Sequence, residues 1–122
     1  MSIVSFDLSL PEYAAPCERP VVQTLIDLLL REGGVVSVYD EEEVAIYKSN
    51  DRDEILKSMS QTGWDTVESY HHDGDMRGWF SLIYNNGSER EPMIVISDYS
   101  ANEWCDNVYR KLDEAFGRWI EL

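Results

Sequence analysis

Residues 78–119 place two strands and a helix in immediate succession, and this order constrains the fold more than any other stretch. The run Gly78–Tyr84 is rich in aromatic and β-branched residues, which favours an extended chain. Asn86-Gly87 follows as a turn signal, because both residues tolerate a positive φ. Met93–Ile96 is apolar at every position, as is typical of a central strand covered on both faces. The stretch therefore predicts a pair of adjacent strands.

An amphipathic helix is predicted directly after these strands. Ser100 and Glu103 have the spacing of a capping box at a helix start. Apolar residues then recur every three or four positions, at Trp104, Val108, Leu112, Ala115, Phe116 and Trp119. Because a strand pair and an amphipathic helix can bury each other's apolar faces, we expect a packed core in this part of the chain.

The remaining residues supply two more helices and three more strands. We predict a helix from about Pro20 to the Gly33-Gly34 pair, strands at 35–39 and 44–47, a short helix capped by Asn50 or Asp51, and a strand at Trp64–Tyr70. Residues 1–17 predict an extended arm with a candidate edge strand at Ile3–Leu8. The fold class is therefore α+β, a single domain over residues 1–122. Its expected order is α-β-β-α-β-β-β-α, with helices packed on a mostly antiparallel sheet.

Size, apolar runs and cysteines indicate a cytoplasmic location. The chain has 122 residues, and no apolar run approaches the roughly 20 residues that a membrane span needs. Its first residues lack the basic region and apolar run of a signal peptide. Cys17 and Cys105 are far apart and have no metal-ligand spacing, so reduced thiols are favoured over a disulfide.

The charge is the most informative feature for function. The chain has 24 acidic and 10 basic residues, which give a net charge of −14. Residues 1–34, 35–50, 51–62, 63–91 and 92–122 are each net negative, so the excess is not a detachable tail. Such a body repels nucleic acid and anionic membranes and is attracted to basic proteins. We therefore expect a basic protein as partner.

The candidate partner-binding residues are acids in three groups. They are Asp40, Glu41, Glu42 and Glu43 at a hairpin tip, Asp51, Asp53 and Glu54 at a helix start, and Asp65, Glu68, Asp73 and Asp75. Carboxylates two residues apart on a strand lie roughly 6.6 Å apart, and helical neighbours about 5–6 Å. Both spacings are of the order of those between successive phosphates. The alternative is that these acids only aid solubility and complement helix dipoles.

Catalytic and metal-binding patterns are weak. His71-His72-Asp73-Gly74-Asp75 contains metal-ligand residue types, yet adjacent histidines on an extended chain point to opposite faces. Cys105 has no base at a recognisable spacing, and no nucleophile elbow or phosphate loop occurs. We therefore predict a protein that is not an enzyme, with no metal and no cofactor. A small metal-dependent enzyme that uses the His71–Asp75 turn remains an alternative.

The segments Gly78-Trp79-Phe80, Leu82–Gly87 and Ile96–Ser100 resemble short acidic proteins encoded by phages and plasmids, of the anti-CRISPR and antirestriction kind. The resemblance implies a setting in which small acidic α+β proteins antagonise host defence, and it assigns no functional residue.

These observations together predict an inhibitor from a mobile element that blocks the basic nucleic-acid-binding surface of a host nuclease or CRISPR effector. An immunity protein that neutralises a cognate nuclease toxin fits the same physics. A homodimer formed through a partly exposed helix carrying Trp104 and Trp119 is a further alternative.

Overall fold

The computed structural model describes residues 14–87 and 91–117 of the chain. The secondary-structure elements are α1 (Arg19–Leu30), β1 (Val35–Asp40), β2 (Glu43–Ser49), α2 (Arg52–Ser58), β3 (Trp64–Tyr70), β4 (Met76–Ile83), β5 (Ile96–Tyr99) and α3 (Glu103–Phe116), with short 3₁₀ turns at Arg31–Gly33 and Pro92–Val95. The predicted α+β class and element order are confirmed. Within the described ranges, no helix is long and apolar enough to cross a membrane.

The predicted N-terminal arm, residues 1–17, lies only partly within the described residues. Its candidate edge strand at Ile3–Leu8 lies outside the described residues. Residues 15–18 form a turn that leads into α1, in which the Glu18 amide donates to the Ala15 carbonyl at 3.0 Å. The described end of the predicted arm is therefore a turn rather than an extended chain.

The five strands form one sheet in the order β2-β1-β3-β4-β5, and every neighbouring pair is antiparallel. The predicted antiparallel sheet is confirmed. In the central pair, Val67 lies opposite Phe80, and Glu68 lies opposite Trp79. Because side chains alternate along a strand, these two pairs point to opposite faces of the sheet.

The three helices pack on one face of the sheet. Helix α1 contacts both α2 and α3, and each helix also contacts at least one strand. The strand residues below them are fully buried, among them Val36, Val38, Val67, Phe80 and Leu82. We call this side the covered face, and the opposite side, on which no described helix packs, the open face.

Arg77 on β4 connects the helices to the sheet. Its guanidinium donates to the Leu29 carbonyl at 2.6 Å and to Ser69 Oγ at 3.1 Å, and it lies 4.4 Å from the ring centroid of Trp104. Burial lowers the pKa of this guanidinium. The contacts join the last turn of α1, where carbonyls have no helical partner, to β3 and α3.

Met93–Ile96 is not a central strand. Pro92–Val95 forms a 3₁₀ turn, and Ile94 in it is exposed. Strand β5 begins only at Ile96 and, among the strands that the structure describes, pairs with β4 alone at the edge of the sheet. Pro92 explains the difference, because proline fits the first position of a helical turn and lacks the amide that a ladder needs.

Helix α3 also begins later than the predicted capping box. Asn102 is the N-cap, and its side chain accepts a hydrogen bond from the Cys105 amide at 2.8 Å. Ser100 Oγ instead accepts from the Trp79 amide at 2.8 Å. The buried positions of α3 are Cys105, Val108 and Leu112, whereas Ala115 is exposed and Trp119 lies outside the described residues. Gly78 allows this packing, since a Cβ there would lie 2.2 Å from Cys105 Sγ.

Candidate functional site

The hairpin between β1 and β2 presents the densest group of candidate acids. Asp40 and Glu43 pair across the two strands, and Glu41 and Glu42 form the turn between them. Glu41 adopts a φ of 59°, a left-handed conformation that closes the turn. Asp40 accepts a hydrogen bond from Thr62 Oγ1 at 2.6 Å, while Glu41, Glu42 and Glu43 are exposed. We call these four acids the hairpin tip; with Thr62 they line a depression of about 280 Å³.

A second group of acids lies at the other end of the sheet. The register places Ser49, the end of β2, opposite Val36, and Tyr70, the end of β3, opposite Val35. The acids that follow these two strand ends are therefore near one another in the fold, and we call them the far-end acids: Asp51, Asp53, Glu54, Asp73 and Asp75. Asp51 is partly used as the α2 N-cap, because its side chain accepts from the amides of Asp53 and Glu54.

The hairpin tip and the far-end acids do not form one surface. They lie at opposite ends of β1, whose six residues span about 17 Å at the usual rise per strand residue. A single flat partner surface would have to extend across the whole sheet to reach both groups. The acids that the sequence groups together thus form two separate patches.

Asp65 is not a surface residue, so the sequence-based assignment of a partner-binding role to it is wrong. Its side chain is fully buried because it lies on the same face of β3 as Val67. Oδ2 accepts hydrogen bonds from the Ser60 amide at 2.7 Å and from the Tyr84 hydroxyl at 2.6 Å, while Oδ1 has no hydrogen-bond partner among the described residues. Burial raises the pKa of this carboxyl to about 6.

Glu68 lies on the open face among tyrosines. Its carboxylate accepts a hydrogen bond from the Tyr70 hydroxyl. Burial and the Glu68 charge raise the pKa values of both Tyr70 and Tyr39. Lys48 Nζ lies 4.6 Å from the ring centroid of Tyr70 and 5.4 Å from that of Tyr47. Glu68 is therefore held in position by its neighbours rather than free in solvent.

Sequence reasoning missed a groove on the open face next to Glu68. Its volume is about 410 Å³, and it is lined by Trp64, Thr66, Glu68, Trp79, Ser81 and Asp98, which we call the sheet groove. Trp64 is 43% exposed, and its indole Nε1 donates to Ser81 Oγ at 3.0 Å. The sequence signal that could have identified this groove is the alternation of residues in β3 and β4. If Val67 and Phe80 face the core, Trp64 and Trp79 must lie on the opposite face of the sheet.

Metal-binding and nucleophilic arrangements receive no support. Over residues 14–87 and 91–117, no group of three or more His, Cys, Asp and Glu side chains is placed to hold a metal ion. His71 and His72 are exposed in a turn that the His71 amide closes by donating to the Asp75 carbonyl at 2.7 Å. Cys105 is fully buried, and burial raises the pKa of its thiol, which disfavours the nucleophilic thiolate.

No protein family model, curated protein or solved structure matches this chain. The resemblance to anti-CRISPR and antirestriction proteins therefore stays a prediction.

Proposed function

We propose that this protein binds a basic protein and occupies the surface with which that protein binds nucleic acid, as an inhibitor of a host defence nuclease or CRISPR effector would. The observation that carries the proposal is the hairpin tip. Three consecutive exposed glutamates follow Asp40, and none of the three has an ion-pair partner among the described residues. An uncompensated group of this kind is free to pair with arginines and lysines of a partner.

The hairpin tip also has a suitable geometry. The cross-strand pair Asp40 and Glu43 has Cβ atoms about 5 Å apart, as paired strand residues do. Glu41 and Glu42 extend beyond that pair into solvent. Four negative charges are therefore held within one turn of a hairpin, at a density comparable with that of a nucleic-acid backbone, which carries one charge per roughly 3.4 Å along each strand.

The net charge of −14 supports the same proposal at longer range. It exceeds the magnitude of about 2–8 that keeps a small domain soluble. A field of this sign attracts basic surfaces and accelerates encounter with them, and it repels the nucleic acid that competes for the same partner. Because the interaction is largely electrostatic, we expect it to weaken as salt rises.

The test is a pulldown from host lysate with the full chain, at low and moderate salt, with bound proteins identified by mass spectrometry. The expected result is one basic nucleic-acid-binding protein that is lost at higher salt and displaced by added DNA or RNA. Recovery of no such protein, or of one that nucleic acid fails to displace, would contradict the proposal.

Matched variants then locate the contact. Glu41→Gln, Glu42→Gln and Glu43→Gln together should reduce affinity for the recovered protein at least about ten-fold, since partly desolvated interface charges each contribute on the order of 1 kcal/mol or more. The control is Asp53→Asn, Asp73→Asn and Asp75→Asn, which removes the same number of charges at the far end. Equal losses in both triple variants would mean that net charge, not the hairpin tip, determines binding.

A further inference from the structure

We propose that the sheet groove on the open face binds an arginine side chain of a basic protein partner. The inference takes from the proposed function only that the partner is basic, and it assigns the open face, rather than the acids at the two ends of the sheet, as a second contact surface. The residues that carry it are two tryptophans and two acids: Trp64, Trp79, Glu68 and Asp98.

The register of β3, β4 and β5 explains how these side chains come together. Thr66 lies opposite Ser81, and Ser81 lies opposite Asp98. The small side chains of Thr66 and Ser81 form the floor, with Trp64 two residues away along β3 on one side and Trp79 two residues away along β4 on the other. The tryptophans therefore flank this floor at its two ends along the strands.

The Trp64 indole and the Trp79 backbone are held in place before any partner binds. Trp64 Nε1 donates to Ser81 Oγ, and Ser97 Oγ lies 3.3 Å from the same Ser81 oxygen. The backbone of Trp79 is fixed on both sides by Ser100, whose Oγ accepts from the Trp79 amide and whose amide donates to the Trp79 carbonyl at 3.0 Å. Preorganised aromatic surfaces lose little conformational entropy on binding.

The charge of the groove defines the ligand. Glu68 and Asp98 both line it, and its lining residues include no lysine, arginine or histidine. A cation beside two indole faces and two carboxylates gains both cation–π and ion-pair interactions. Arginine fits better than lysine, because its guanidinium is planar, stacks on aromatic rings and binds carboxylates through paired hydrogen bonds.

The protein already uses this type of contact elsewhere. The Arg77 guanidinium lies 4.4 Å from the Trp104 ring centroid in the interior. On the open face, Lys48 lies over the rings of Tyr47 and Tyr70, and the Tyr70 hydroxyl donates to Glu68. The sheet groove also combines aromatic and acidic side chains, and none of its lining residues is a cation.

The charge also excludes two other occupants of an aromatic sheet face. Bases of a single-stranded nucleic acid would stack on such tryptophans, but their phosphates would then lie beside Glu68 and Asp98. A second copy of the chain would bring two bodies of charge −14 together. Only a basic partner gains from both the aromatic and the acidic groups.

The experiment uses the ¹⁵N-labelled full chain and the probe peptide acetyl-Gly-Gly-Arg-Gly-Gly-amide. Spectra of Trp64→Phe and Trp79→Phe identify the indole resonance of each tryptophan. We expect both resonances to shift on titration with the arginine peptide. The corresponding lysine peptide should bind more weakly, and a glutamine peptide should cause no shift.

Two double variants of equal net charge make the test specific. Glu68→Gln with Asp98→Asn removes both groove charges but keeps the oxygen atoms that accept from Tyr70 and from the Tyr99 amide. It should weaken peptide binding about five-fold, which is what two exposed ion pairs contribute together. Glu103→Gln with Glu114→Gln removes two exposed charges on α3, away from the open face, and should leave peptide binding unchanged.

Four results would overturn the inference: indole resonances that do not shift, equal weakening in both double variants, equal binding of the lysine peptide, or indole shifts that depend on protein concentration without peptide. The last result would assign the groove to a second copy. The inference and the proposed function can fail separately. If the arginine peptide shifts the indole resonances but no partner is recovered from lysate, only the proposed function is contradicted. If a partner is recovered and the Glu68→Gln/Asp98→Asn variant binds it normally, only the assignment of the groove is contradicted.

Discussion

The two faces of the sheet are built from the same strands but have different chemistry. Alternate residues of β3 and β4 place Val67, Phe80 and Leu82 on the covered face, where all three are fully buried. Their neighbours Trp64 and Trp79 lie on the open face, with polar side chains between them. Fully buried apolar residues form the surface on which the helices pack, whereas the tryptophans of the open face are partly exposed and lie beside acids. The difference indicates that the covered face specifies the fold and the open face is available for recognition.

The comparison between the faces is tested most strongly by truncating one side chain on each face of β4. Phe80→Ala should destabilise the protein by about 4 kcal/mol, because it removes a fully buried ring that stacks on Tyr99 at 5.8 Å and leaves a cavity. Ile83→Ala, at a position that is 36% exposed on the open face, should cost about 1 kcal/mol or less. Urea denaturation measures both free energies of unfolding.

The outcome of this pair also tests whether the open face is uncovered in solution. If Ile83→Ala costs as much as Phe80→Ala, the open face is packed against other groups, and the comparison between the faces is wrong. If the two differ as expected, the open face has no large role in stability.

A smaller effect on stability is expected from Asp65, which places an ionisable carboxyl group on the covered face. Its folded pKa of about 6 exceeds the value of 3.8 for an unperturbed carboxyl, so the folded state binds the proton more tightly than the unfolded state. The protonated form therefore favours folding. This contribution is fully present below about pH 4 and is lost as pH rises to about 6, by up to about 3 kcal/mol for two pKa units.

Asp65→Asn should abolish this dependence. The amide oxygen can still accept from the Ser60 amide and the Tyr84 hydroxyl, while the ionisation is removed. We expect the stability of the variant relative to the natural chain to rise between pH 4 and pH 7, measured by denaturation at each pH. Tyr84→Phe, which removes one hydrogen bond to the carboxylate, should instead increase the loss at neutral pH by about 1 kcal/mol. A constant difference between Asp65→Asn and the natural chain would contradict the assignment.

The sequence predicts those elements whose local signals agree with one another. Strand β3 was predicted with its correct ends, because Trp64–Tyr70 combines alternation with turn residues on both sides. The short apolar run Met93–Ile96 was assigned wrongly, since four apolar residues fit a central strand or a buried turn equally well. Pro92 distinguishes the two, because proline fits the first position of a helical turn and lacks the amide that a strand ladder needs.

The candidate site was less predictable for a different reason. Alternation identifies which residues share a face, but it does not say which face the helices cover. The sequence therefore predicts an exposed Asp65 and does not group the tryptophans of the sheet groove with Glu68. Asp98 reaches that groove only because β5 pairs with β4, a long-range contact that no local pattern contains. The two acidic patches, at opposite ends of β1, likewise separate only once the strand register is known.

The smallest effect is expected at the hairpin tip, where backbone conformation rather than the choice of face determines stability. Glu41 has a φ of 59°, which is unfavourable for most side chains but is tolerated by asparagine. Glu41→Asn should therefore stabilise the protein by about 0.5 kcal/mol. The same change removes one of the three exposed tip carboxylates, so affinity for the basic partner should fall.

Glu42→Asn is the matched control, because Glu42 is not among the described residues with positive φ. It should reduce partner affinity by a similar amount without any gain in stability, as measured by thermal unfolding alongside Glu41→Asn. If Glu41→Asn, but not Glu42→Asn, raises stability while lowering partner affinity, the glutamate at position 41 reduces folding stability and contributes to binding. If Glu41→Asn stabilises the protein and leaves binding intact, the tip acids are not a binding surface, and the sheet groove becomes the better candidate for partner recognition.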